Sequence, residues 1–120
     1  MRVAVEQLNP TIGDLAGNVD RLLASVKRAE ALGAELVVAP ELAVTGYPPR
    51  DLLDRPSFVE DARLTTLRLV AAIRTPALLV GAMVAPEGEP LAVSATIANG
   101  ALFIHDGRIL ACHRKILLPT

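Results

Sequence analysis

The sequence predicts an α/β fold in the order β-α-β-α-β followed by a β-hairpin. Three observations carry this. Two apolar runs of strand length, Leu36–Ala39 and Ala77–Val84, are spaced far enough apart to hold a helix between them. The segments before each run have apolar residues at three-to-four spacing. Near the end, Asp106-Gly107 separates two further β-rich runs, a strong hairpin signal. Helices between successive strands imply parallel pairing and a layered arrangement.

The elements follow in order. Val3 and Val5 alternate with Arg2, Ala4 and Glu6, a short strand leading into a break at Asn9, Pro10, Gly13 and Asp14. Leu15, Val19, Leu22, Leu23, Val26 and Ala29 then mark one face of a helix that Gly33 stops. Leu36–Ala39 is a continuous apolar run, as in a strand covered on both faces. Thr45–Arg50 is turn-rich, with Gly46 and Pro48-Pro49. Pro56 suits the first turn of a second helix to about Ile73, with Phe58, Ala62, Leu67, Val70 and Ile73 inward. Ala77–Val84 is the third strand, and two β runs follow near 98–104 and 109–116. No helix follows the last run, an unusual place for a domain to stop.

Composition narrows the function classes. The chain has 120 residues, 52% of them hydrophobic, and a mean hydropathy of +0.42. That excludes a disordered chain and suits a piece built around buried strands. Tyr47, Phe58 and Phe103 are the sole aromatics, so the core is Leu, Val, Ile and Ala. A net charge of −1 without a basic stripe argues against nucleic acid as a partner. No apolar stretch is long enough for a bilayer, so no membrane role is expected. Glu6 and Gln7 interrupt the N-terminus where a signal peptide needs apolar residues. A single cysteine, Cys112, forms no internal disulfide, which fits a reduced, cytoplasmic setting.

Two charged residues beside apolar strand sequence are the candidates for chemistry. Glu41 follows the second strand, where ligands of open α/β sheets bind. A carboxylate there can serve as a general base or acid, or be a plain solvated strand-end glutamate. Lys115 closes the last strand; it can stabilise a developing oxyanion or simply face solvent. By alternation Ile109, Ala111, His113 and Lys115 share one face and Leu110, Cys112, Arg114 and Ile116 the other. Unless a bulge intervenes, Cys112 therefore points away from Lys115 and reads as a small buried hydrophobe. His105, in the hairpin turn and expected to be exposed, and His113 lack metal-ligand spacing. Gly13, Gly17, Gly33 and Gly46 form no phosphate-binding loop.

QLNPTIGDLAGNVDR, ELVVAPELAVTGYPP, NGALFIHDGRIL and HRKILLP, in this order, resemble the nitrilase, or carbon–nitrogen hydrolase, superfamily. TGYPPRDLL is similar to one branch, the glutamine-hydrolysing domains of glutamine-dependent NAD synthetases. The resemblance covers nearly the whole chain. It implies an α-β-β-α sandwich, here in part, and a Glu–Lys–Cys triad. Glu41 matches the general base, Lys115 the lysine, and Tyr47 a tyrosine lining the glutamine pocket. The family's cysteine lies further along than Thr120, so residues 1–120 are expected to be the N-terminal portion of a glutaminase domain, inactive alone. The implied reaction is thiol acyl transfer from glutamine, with ammonia passed on for NAD synthesis. It needs no metal or cofactor; ATP, Mg and deamido-NAD are implied for an absent synthetase domain alone. The expected partners are glutamine, that synthetase domain and, in the full-length protein, further copies in a homo-oligomer. Another small amide, nitrile or carbamoyl substrate is the rival reading within the superfamily. A non-catalytic α/β module is the rival outside it.

Overall fold

The computed structural model describes residues 1–46 and 50–115. Strands β1 (Val3–Val5), β2 (Leu36–Val38), β3 (Ala77–Val84), β4 (Ala98–His105) and β5 (Arg108–Arg114) form one sheet in sequence order. β1, β2 and β3 are parallel; β4 and β5 join antiparallel. Helix α1 (Leu15–Ala31) connects β1 to β2, and α2 (Pro56–Ala72) connects β2 to β3, preceded by a 3₁₀ turn at Arg50–Asp54. The strands advance steadily across the sheet, so two right-handed crossovers place both helices on the same face.

Local chemistry explains the boundaries. Asp14 caps α1, its carboxylate accepting from the Gly17 N–H at 3.2 Å. Gly33 takes a positive φ just beyond the helix. Pro56 is the first residue of α2, where its missing N–H costs nothing. Asp106 and Gly107 have φ of 51° and 74° between paired His105 and Arg108, the two-residue turn that matches strand twist. His105 is thus the last residue of β4 and half-buried, not an exposed turn residue.

The core lies between sheet and helices. Val19, Leu22 and Val26 of α1 and Leu69, Val70 and Ile73 around α2 pack on Val37, Leu78, Val80, Leu102 and Ile104. The α2 face differs from expectation at Leu67, which is exposed, while Leu69, Thr65 and Thr66 turn inward. Thr66 is accommodated because its hydroxyl donates to the Ala62 carbonyl at 2.7 Å. In β1 Ala4 packs on the core and Val5 is 71% exposed. β2 is not covered on both faces as its apolar run implied: Val37 is buried and Leu36 and Val38 are half-covered, because among the described residues both helices lie on one face. Among the described residues no helix is long and apolar enough to cross a membrane.

A bulge alters β5. Ile104 pairs with Ile109 but Phe103 pairs with Ala111, leaving Leu110 as an extra residue. The insertion moves Ile109 to the face of Cys112, and both pack against the core. Ala111, His113 and Lys115 remain on the opposite side, exposed. The expected continuation of this strand to Ile116 lies outside the described residues, as does Tyr47.

Candidate functional site

The site begins where β2 ends. The Ala39 N–H donates to Leu79 at 2.9 Å and the Gly81 N–H to Pro40 at 3.3 Å, so β3 holds the chain one residue short of Glu41. Gly81 permits this approach: a Cβ there would lie 2.6 Å from the Glu41 Cα and the Leu42 N. The chain then turns sharply, with Leu42 at φ 49°. A left-handed leucine costs about 1–3 kcal/mol, a kind of strain that collects at functional sites. It is retained here because Leu42, Ala43, Val44 and Thr45 are buried behind Glu41.

Asn18 anchors that turn from below. It is buried on α1, donates to the Val44 and Thr11 carbonyls at 2.8 Å each, and accepts from the Thr11 N–H at 2.9 Å. The Gly13 N–H adds a bond to Thr45 at 2.9 Å. Two of the motifs read in the sequence are thereby tied into one unit. A polar residue among the inward positions of an amphipathic helix was the signal for Asn18, and sequence reasoning passed over it.

Lys115 reaches the same place from the other end of the chain. Its backbone N–H, directly after β5, donates to Asn99 at 2.8 Å, and its Nζ lies 3.3 Å from Glu41 Oε1. Asn99 Nδ2 donates to that same Oε1. Asn99 also escaped the sequence reading; its signal was an asparagine within a strand, where that residue is uncommon. Glu41 and Lys115 side chains are 44% and 56% exposed. An ion pair this open contributes ~0–1 kcal/mol to stability, so folding alone does not account for it.

The pair opens on a cleft of about 590 Å³ on the face away from the helices, walled by Val38, Leu79, Ala101 and His113. Its size and apolar walls suit a small molecule held by few polar groups. Cys112 is turned to the helix side and does not line it. A second cavity of about 520 Å³ lies between α2 and the loop after β3, and neither Glu41, Asn99 nor Lys115 lines it. The first is the cavity that the candidate residues Glu41 and Lys115 line. Among the described residues no cluster of His, Cys, Asp and Glu could hold a metal ion.

Comparison with known proteins identifies the family and the fold. The family model described as carbon–nitrogen hydrolase matches residues 2–120. A glutamine-dependent NAD(+) synthetase of Synechocystis sp. is 40% identical over 120 residues, covering 98% of this chain and 21% of that protein. The ADP complex of the corresponding synthetase of Acinetobacter baumannii superposes with a TM-score of 0.82 at 27% identity, covering 98% of this chain and 21% of its own. An amidase of Nesterenkonia sp. superposes with a TM-score of 0.77 at 27% identity, covering all of this chain and 44% of its own. In a Glu-to-Gln mutant of that amidase, acrylamide has added to the active-site cysteine. The present chain spans about a fifth of the length of the synthetases it matches.

Proposed function

The chain belongs to the carbon–nitrogen hydrolase family, and on that premise we propose that it supplies the base and the lysine of a glutamine-hydrolysing site whose ammonia feeds NAD synthesis. The observation that carries the reading is the meeting of Glu41 and Lys115, 74 residues apart in sequence, at 3.3 Å on the rim of an apolar cleft. Cys112 is the chain's single cysteine and faces the core. The nucleophile in this reading is a cysteine outside residues 1–120, and the family resemblance assigns Tyr47 to the glutamine pocket.

The reaction runs in two halves. Glu41 takes the thiol proton, and the thiolate attacks the side-chain amide carbon of glutamine. Lys115 carries an ammonium that stabilises the oxyanion of the tetrahedral intermediate. The C–N bond then breaks, and the proton held by Glu41 leaves with ammonia. Water, losing its proton to Glu41, attacks the thioester and releases glutamate and free thiol. No step needs a metal. ATP, Mg and deamido-NAD belong, in this reading, to a synthetase domain that receives the ammonia. A cytoplasmic homo-oligomer is the form in which we place the complete protein.

The test is Glu41→Gln in the complete protein. Ammonia release from glutamine should fall by about 10²–10⁴-fold, the usual worth of a positioned general base, with the circular dichroism spectrum unchanged. Added ammonium should restore NAD formation. Near-normal glutamine hydrolysis would refute the role of Glu41. The likeness to the Nesterenkonia amidase over the whole chain favours a second reading, a free amidase acting on another small amide. Failure of ammonium to support NAD formation, with amide hydrolysis intact, would select it.

A further inference from the structure

Glu41 and Lys115 share a third residue. Asn99, second in β4, donates from Nδ2 to Glu41 Oε1, and its backbone carbonyl accepts the Lys115 N–H at 2.8 Å. One residue thus sets the strand position of the lysine and the orientation of the carboxylate. Glu41 Oε2 accepts from no side chain among the described residues. A half-exposed glutamate on three rotatable bonds does not hold one orientation unaided, and the equally open Lys115 is a flexible partner. Asn99 has a short side chain on a paired strand and is the stiffer of the two donors.

We infer that Asn99 is the positioning residue of the site: by occupying Oε1 it leaves Oε2 turned to the cleft as the oxygen that takes the thiol proton. This rests on Glu41 being the base. A neutral amide suits the place better than a charge would. A cation there would compete with Lys115 for Glu41, and an anion would repel Glu41. The arrangement also divides the work in time. Once Oε2 is protonated, Oε1 still accepts from Asn99 as the carbonyl oxygen of a neutral acid. The attraction of Lys115 to Glu41 drops at that moment, which frees the ammonium to turn to the oxyanion as it forms. Asn99 holds the base through both protonation states, whereas Lys115 changes partner.

The test compares Asn99→Asp, Glu41→Gln and the double variant in the complete protein, by ammonia release from glutamine. Asn99→Asp keeps the shape, loses the donor and sets a repelling carboxylate beside Glu41, whereas Asn99→Ala loses the donor alone. The expected result is a fall in kcat of about 10²-fold, the cost of misplacing a catalytic group, with KM within twofold. The double variant should be no slower than Glu41→Gln alone, since Asn99 acts through Glu41. Should Asn99→Asp fail to fold, Asn99→Ala carries the same expectations. An unchanged kcat, a loss confined to KM, or losses that multiply in the double variant would overturn the proposal while Glu41→Gln remained inactive. An active Glu41→Gln would overturn the base assignment and this inference together.

Discussion

On the helix-covered face of the sheet, Val37, Leu78, Val80, Leu102 and Ile104 are almost completely shielded, whereas on the opposite face Leu36, Val38, Leu79 and Phe103 remain half-buried. The same β-rich residue types occupy both. The difference comes from topology, because both crossovers run to one side and leave the other open. Hydrophobic burial is concentrated on the first face. Glu41, Asn99, His113 and Lys115 gather on the second. A substitution should therefore damage either stability or chemistry according to the face it touches.

After Glu41→Gln, the largest effect expected is at Lys115. Lys115→Ala should lower glutamine hydrolysis in the complete protein by about 10²–10³-fold, as loss of one oxyanion donor does, and leave the unfolding midpoint nearly unchanged. A large loss of stability there would blur the division between faces. Leu102→Ala, on the covered face and fully buried, should behave inversely. It should cost about 2–5 kcal/mol in urea unfolding and leave kcat per folded molecule intact. For residues 1–120 alone, the half-buried second face and the free edge of β5 should drive association, read by size-exclusion chromatography with light scattering. Phe103→Lys should shift that equilibrium toward monomer.

The smallest effect lies on the helix surface. Arg63 grips Glu60 through two nitrogens, at 2.6 Å and 2.9 Å. Its hydrogen bond holds the Glu60 carboxyl below the ordinary value. Because the folded value is the lower one, the contribution is present above the unfolded value of about 4.3 and disappears as pH falls through the folded value. Glu60→Gln should lower stability slightly near neutral pH, where the contribution is present, and leave it unaltered well below the folded value, so that the acid limb flattens.

Much of the fold could be read from the chain. β3 runs from Ala77 to Val84 as its apolar run implied, Pro56 opens α2, and Asp106-Gly107 turns the hairpin. Glu41 and Lys115 were legible because each stands at the end of an apolar strand within a recognisable motif, and they do meet. What stayed hidden depended on partners. The extra residue Leu110 has nothing in its type to mark a bulge. Whether Val5 or Ala4 faces inward is set by which side the helices take, not by alternation within three residues. In α2, Leu67 and Leu69 are equally apolar, and packing alone chose between them. Asn99 acquires its role from the register of three strands at once.

The contact between Glu41 and Lys115 closes a loop of 74 residues, from the first β-α-β unit to the last strand. Joining the ends of so long a segment is entropically costly, and nothing at an exposed ion pair repays it. The preceding strands must dock before the two charges can meet. Residues 1–100 hold Glu41 and Asn99 but not Lys115, so a nascent chain of that length has no pair to form. Acquisition of the paired base and lysine is accordingly a late event in the life of the chain, and a sensitive report that the whole sheet has formed in register.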